Sequence, residues 1–573
     1  MLAQGADSMN HTNVCAAILL TLPLSAPNIE AAAPNDNSAD LAFINAVVYT
    51  ADAQNPTAQA VAARDGVIIA VGDIADIELL MDENTQVIDV KGGLLLPGFI
   101  DNHNHVFEAA SSAGGDCELA PDLTPSEQLP YLHQCREASQ PDQWVIGWGH
   151  TIDATLSGAG PTPLQVIDSV FPDRPVVIME QTSHSMWVNS VALRLAGINS
   201  DTPDPQGGKI MRDPKTGALN GVLVDNAGDI IMEQAWNSLR NKFEVSYDGL
   251  LNGLAEAARN GVTTIGDGRL YWKRGWYDVW RAVAADGELT ARVSLRPWIY
   301  PHVPQQEQLD FLNAIYNPDP NGLLIVNQVK MYSDGILING TAKVLQPYDF
   351  TYFPQSPYGL NYLPQAVMQD WLIKLDRLGY GAHIHAIGDG GVRESLNAIA
   401  AARQGGSQRR YNMTHLELVD AGDLGRFKTL QVDADFQVGS DYIGAADHSW
   451  AEPLIGEERA HRLIPLAEVY ASGANVTLSS DWNVNPISPM AAIANAVQLK
   501  ERGLPNVRAA LNAYTINAAT ALGLEAITGS IRVGKSADIV VLDRNILDAA
   551  PQHIRQARVL MTWLRGKEVY AAE

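Results

Sequence analysis

Residues 94–108 read LLLPGFIDNHNHVFE, an apolar run that stops at Pro97-Gly98, resumes at Phe99-Ile100 and ends in two histidines one residue apart, His103 and His105. In an extended strand the side chains of residues i and i+2 leave the same face, so these imidazoles converge on one point, where a single metal ion can accept both. His-x-His is equally the sequence of a hydrogen-bonded pair in a turn, so the stretch alone leaves two readings.

The surrounding chain supplies the frame. LAFINAVVYTADAQ and AVAARDGVIIAVG, the latter turning at Asp65-Gly66, have hairpin character, and GSIRVGKSADIVVLD and RVLMTWLRGKEVYAAE repeat it at the other end. We expect a small β-sandwich built from both ends, residues 41–96 and 521–573. Between them, β-like runs followed by helical stretches occupy 94–105, 262–267, 293–299, 325–333, 380–387, 412–417, 431–437 and 475–481. Eight strands alternating with helices predict an α/β chain forming a (β/α)8, TIM-like barrel from 97–108 and 249–520. About 150 residues separate its first two strands. That segment carries its own strand-like runs, WVIGWG and PVVIMEQTS, and its own turns, DPQGG and DPKTG. We therefore expect an insertion domain, 109–248, after barrel strand 1, on the face where barrels hold their catalytic residues.

Composition narrows the partners. The 573 residues carry a formal net charge of −26, which disfavours nucleic acid and anionic membrane surfaces and leaves a small molecule as the expected partner. With 46% hydrophobic and 18% charged residues the chain is globular. Cys15, Cys117 and Cys135 have neither zinc-finger nor redox-pair spacing and make no disulfide scaffold; Cys117 and Cys135 can pair if the protein is exported. Residues 1–40 combine an apolar stretch, 14–24, with small residues at 31–33. That is a signal-like extension, implying export, or a flexible one on a cytoplasmic protein, since the first basic residue is Arg64. No other segment is expected to span a membrane.

On this frame the candidate ligands fall at the C-terminal ends of barrel strands. They are His103 and His105 on the first, Lys330 on the fourth, His383 and His385 on the fifth, His415 on the sixth and Asp481 on the eighth. Singly each has a plain alternative: a packed histidine, a salt-bridged lysine, an aspartate capping the next helix. Together, imidazoles, a carboxylate and a buried lysine at strand ends point to a metal centre.

The motifs PGFIDNHNH, GVTTIGDG, VKMYSDG, HAIGDGG, the isolated His415, LSSD with NVNPISPM, TINAA and GSIRVGKSADIVVLD, in this order, resemble the amidohydrolase superfamily, in particular its amidohydrolase 3 (YtcJ-like) branch. The resemblance runs from about residue 41 to the end. It implies one or two divalent ions, zinc foremost, with His103, His105 and Asp481 on the more buried ion and His385 and His415 on the other. Lys330 stands where members of the branch carry a carboxylated lysine bridging a binuclear centre. His385 is preferred to His383 because it directly precedes Ala386 in H-A-I-G-D, and Asp389 closes that loop. A homo-oligomer, dimer or larger, is also implied.

The chemistry follows from these residues. A free Lys330 amine repels two cations, whereas its carbamate holds both. The ions lower the pKa of a water from about 15.7 toward 7 and polarise the scissile carbonyl. Asp481, as general base and then general acid, carries the proton to the leaving nitrogen. The expected activity is hydrolysis of a C–N bond other than a peptide bond, in an amide, N-acyl or cyclic amide linkage. The same scaffold can hydrolyse a lactone, ester or phosphoester or deaminate a ring, and a catalytically silent binder is the remaining class. For the substrate we expect His184, in the insertion, to bind the carbonyl, with Trp298, Tyr332 and Trp482 beside it; Trp148, Trp272 and Trp276 are further aromatic candidates, and Arg269 and Arg296 can pair with a substrate carboxylate. The loop DGILINGTA after Lys330, the seventh strand DADFQVGSDYI and Trp482-Asn483 after Asp481 depart from the branch pattern, all on the catalytic face, so substrate preference is expected to have moved.

Overall fold

The computed structural model describes residues 38–573 apart from 111–114, 142, 158–159 and 214. The signal-like segment lies outside them, except for its last three residues. The centre of the molecule is nine parallel strands: β1 Phe99–Asn104, β2 Val262–Asp267, β3 Arg292–Ser294, β4 Leu324–Ile325, β5 Gln328–Tyr332, β6 Gly381–Ala386, β7 Tyr411–His415, β8 Val432–Gln437 and β9 Val476–Ser479. They form two sheets, ordered β4-β3-β2-β1 and β5-β6-β7-β8-β9. Backbone hydrogen bonds cross both seams. Lys330 N–H donates to the Pro297 carbonyl and Ile299 N–H to that of Lys330 at one; Asp481 N–H donates to the His103 carbonyl and His105 N–H to that of Trp482 at the other.

Nearly every residue of these strands is buried, as expected of parallel strands covered by helices. The helices show why they cover them. In Gln365–Leu378 the buried residues are Met368, Trp371, Leu372 and Leu375, the i, i+3, i+4, i+7 stripe of one apolar face. Gly379, at φ +98°, ends that helix in the left-handed conformation and turns the chain into β6.

Two strands differ from expectation. The run expected at 325–333 is split, because Val326 turns aside to exchange backbone hydrogen bonds with Asn317. The third strand ends at Ser294 rather than 299; Pro297 has no N–H to donate, and beyond Ser294 only isolated bridges continue, Pro297 to Leu270 and Trp298 to Lys330.

Strands from both chain ends share one sheet: Ile539–Leu542 pairs antiparallel with Leu94–Pro97, which pairs with Val47–Tyr49. It packs on the four-stranded sheet of Leu41–Ile44, Ala60–Arg64, Val67–Gly72 and Gln86–Asp89 through a core containing Phe43, Val61, Leu95, Val541 and Trp563. Phe43 and Trp563 meet edge to face at 5.4 Å. Residues 117–225 contain a separate six-stranded mixed sheet. Beside it the helix Pro163–Val170 starts with a reciprocal Thr162–Gln165 capping box. Cys117, on an edge strand, is disulfide-bonded to Cys135 in the helix Leu129–Ala138, so the pairing left open by the sequence is made. Among the described residues no helix is long and apolar enough to cross a membrane.

Candidate metal centre

The strand ends bring the expected ligands together. His103 Nε2 and His105 Nε2 stand 3.2 and 3.1 Å from Asp481 Oδ1, and Lys330 Nζ stands 3.5 Å from His103 Nε2. His415 Nδ1 is 3.9 Å from Asp481 Oδ2, and the His385 and His415 rings lie 4.5 Å apart. Asp481 Oδ1 and the Nδ1 atoms of His105 and His385 are buried without a hydrogen-bond partner. Ligand atoms bonded at ~2.0–2.2 Å to one tetrahedral ion are separated by ~3.3–3.5 Å, close to the spacing of His103, His105 and Asp481. The donor set therefore fits a divalent ion.

Local backbone explains how the site forms. Asp481 and His415 both have positive φ, +53° and +76°, a costly conformation that swings each side chain off the end of its strand. Asp481 is no helix cap: the next helix begins at Pro489. Gly268, just past β2, leaves room for the ligands, since a Cβ there would lie 2.9 Å from His105 Cε1 and 3.1 Å from His103 Nε2.

Charge states favour ligation. Burial holds His103, His383 and His385 well below the ordinary imidazole range and brings His415 to about 3, so the rings present lone pairs. Burial raises the Asp481 carboxyl, but the imidazoles of His103 and His105 outweigh it and hold the group well below the usual carboxylate range. Burial, reinforced by Arg269 and Arg296 and opposed by Asp481, holds the Lys330 amine well below its usual value. Its close contact is the His103 ring rather than a carboxylate.

His383 lies behind His103, its Nε2 2.7 Å from His103 Nδ1 and the rings stacked at 5.0 Å. With Asp435 these two form a second cluster of potential ligand atoms, but the Asp435 oxygens already accept hydrogen bonds from Asn102, Thr414, Gln437, Thr477 and Ser479. That deeper cluster is a hydrogen-bonded floor. His385 instead faces the cavity above it.

The cavity has a volume of about 280 Å³ and is bordered by His105, His385, His415 and Asp481. His184, Arg269 and Tyr332 line one side, and Ile336, Leu337, Val484, Tyr442 and Trp450 supply apolar wall. Tyr332 stacks on His385 at 4.3 Å and its hydroxyl accepts from Arg269 Nη1 at 2.9 Å. Trp298 and Trp482 do not line this cavity. Trp298 is fully buried behind Tyr332, between Tyr271 and Tyr300, and Trp482 packs on the core. Trp148, Trp272 and Trp276 are likewise absent from its wall. Arg296 is no ligand for a substrate carboxylate: its guanidinium is buried and bound to Gln328 and Asn102. Asp389, the first residue of the helix Asp389–Gln404, accepts the Leu345 N–H and so ties the loop after β5 to that helix. The sequence reading missed Glu417, Tyr442 and Trp450. Glu417, pushed up to about 7 by burial and by Asp481, has a signal in hindsight, two residues after His415.

The amidohydrolase family model matches residues 86–570, and the chain belongs to that family, as a metal-dependent amidohydrolase. It is 28% identical to the N-substituted formamide deformylase of Arthrobacter pascens over 542 residues, 92% of this chain and 97% of that protein. With the putative amidohydrolase YtcJ of Bacillus subtilis (strain 168) it shares 26% identity over 544 residues, 91% and 98% of the two chains. Its fold resembles the crystal structure of an uncharacterized metal-dependent hydrolase from Pyrococcus horikoshii OT3, with a TM-score of 0.69 at 22% identity, covering 90% of this chain and 99% of that one.

Proposed function

We propose that the protein hydrolyses the C–N bond of a small amide, N-acyl or cyclic amide, giving a carboxylic acid and an amine from the amide and one water. The observation that carries this reading is Asp481 Oδ1, within 3.1–3.2 Å of two imidazole nitrogens and without a hydrogen bond, at the edge of the cavity. The formamide deformylase relative acts on the same bond class.

In this reading the nine strands are the wall of one (β/α)8 barrel, with 109–248 inserted after its first strand and the two chain ends joined in a β-sandwich. His103, His105 and Asp481 would hold one divalent ion, and His385 and His415 would hold a second. Lys330 would join this ligand set as a carbamate, formed when its neutral amine adds to carbon dioxide with loss of a proton. Zinc is the expected metal. Such ions supply an acidified water and a polarised carbonyl. Asp481 takes the proton from that water and delivers it to the leaving nitrogen. Arg269 holds the Tyr332 hydroxyl, and the apolar wall receives the substrate's substituent while excluding bulk water.

The test is turnover of N-substituted formamides, longer N-acyl amines and cyclic amides by metal-loaded protein, with and without a chelator. Chelator-sensitive release of amine supports the reading. Cleavage of esters, lactones or phosphoesters with amides untouched contradicts it.

A further inference from the structure

His184 stands on the cavity wall beside His385, their rings 5.4 Å apart, and Tyr332 flanks it at 6.1 Å in near-parallel orientation. Its Nδ1 lies 2.6 Å from Asp225 Oδ1. The same oxygen accepts the Tyr362 hydroxyl at 3.2 Å, so it acts as an acceptor and the hydrogen of the first contact sits on His184 Nδ1. A neutral imidazole with Nδ1–H presents a bare lone pair at Nε2. That is the ring edge left for the cavity. The arrangement is built in: Asp225 is fully enclosed, has a positive φ of +53°, and donates its own N–H to the His184 carbonyl at 2.7 Å.

A lone pair at this place does not bind a carbonyl oxygen; it takes a hydrogen. Building on the amide reading above, we infer that His184, oriented by Asp225, accepts the N–H of the substrate's scissile amide, so that the enzyme selects amides that keep a hydrogen on nitrogen over N,N-disubstituted ones. A tertiary amide puts an alkyl group against the lone pair and leaves it unpaired, which costs far more than an apolar mismatch of the same size.

The experiment compares kcat/KM for an N-alkyl formamide and its N-methylated counterpart, using metal-loaded wild type, His184→Phe and Asp225→Asn, each checked for metal content and thermal midpoint. We expect wild type to prefer the N–H substrate at least ~10-fold. His184→Phe should bring the two substrates within about threefold, and Asp225→Asn, tolerated at a positive φ, should give an intermediate ratio. A general loss of folding or metal lowers both rates and leaves their ratio unchanged, so the ratio isolates the contact. Undiminished preference in His184→Phe, or no preference in wild type, overturns this inference alone. If metal-loaded wild type cleaves neither amide, the amide reading falls and this inference with it.

Discussion

Asp481 Oδ1 stands 3.1 Å from His105 Nε2, yet this carboxylate oxygen is buried without a hydrogen-bond partner. Burying a carboxylate oxygen without a hydrogen bond is costly unless a cation completes the arrangement. A divalent ion does so, and the functional reading turns on that relationship.

Replacing Asp481 by Asn keeps the shape of the side chain and removes its ability to take a proton. We predict a loss of about 10³-fold or more in kcat, with only a modest drop in metal content measured on the same preparation. A protein that only bound its ligand would show no change in any rate.

Gly268→Ala places a methyl group within 3.1 Å of His103 Nε2 and His105 Cε1. Both rings must shift, so metal affinity should fall at least about tenfold. Competition with a chromogenic chelator measures this without any substrate.

How far these features were legible in the sequence depends on what fixes each one. His103 and His105 follow from strand alternation, and Lys330, His415 and Asp481 from their places at or just past the C-terminal ends of parallel strands, whereas the choice of His385 over His383 came from the family motif, since both have the same parity. Trp298 and Arg296 sit in equally suggestive places, yet the fold turns them inward. Aromatic character does not reveal which face of a loop reaches a cavity. Trp450, Tyr442 and Asp225 reach or brace the cavity only through loop paths and tertiary pairing, and the split at Val326 arises from a contact with Asn317 that periodicity does not encode.

Asp267 carries a pH dependence with a definite sign. Burial, with Glu108 adding repulsion, raises its carboxyl from 3.8 to about 7. The folded state therefore keeps a proton that the unfolded chain releases near pH 4. Stability from this group is full below about pH 4, is lost by about 1.4 kcal/mol per unit as pH rises, and stays lost above about 7. Asp267→Asn removes the titration, so its midpoint relative to wild type should climb between pH 4 and 7 and then level off. Denaturant melts across that range of pH check it; a difference that is flat with pH counts against the assignment.

The Cys117–Cys135 bond closes a loop of 18 residues between an edge strand and a helix. Replacing both cysteines by alanine should destabilise the oxidised protein by about 3 kcal/mol, with metal content unchanged, because the bond lies away from the cavity. Adding a reductant to wild type should reproduce the shift.

The most direct test of the metal centre is plasma mass spectrometry on wild type and Lys330→Ala purified from cells grown with mixed divalent metals. Close to two ions per chain are expected in wild type and a clear drop in the variant. One ion in both would remove Lys330 from the centre, and a wild type holding none under these conditions would contradict the hydrolase mechanism proposed for this site.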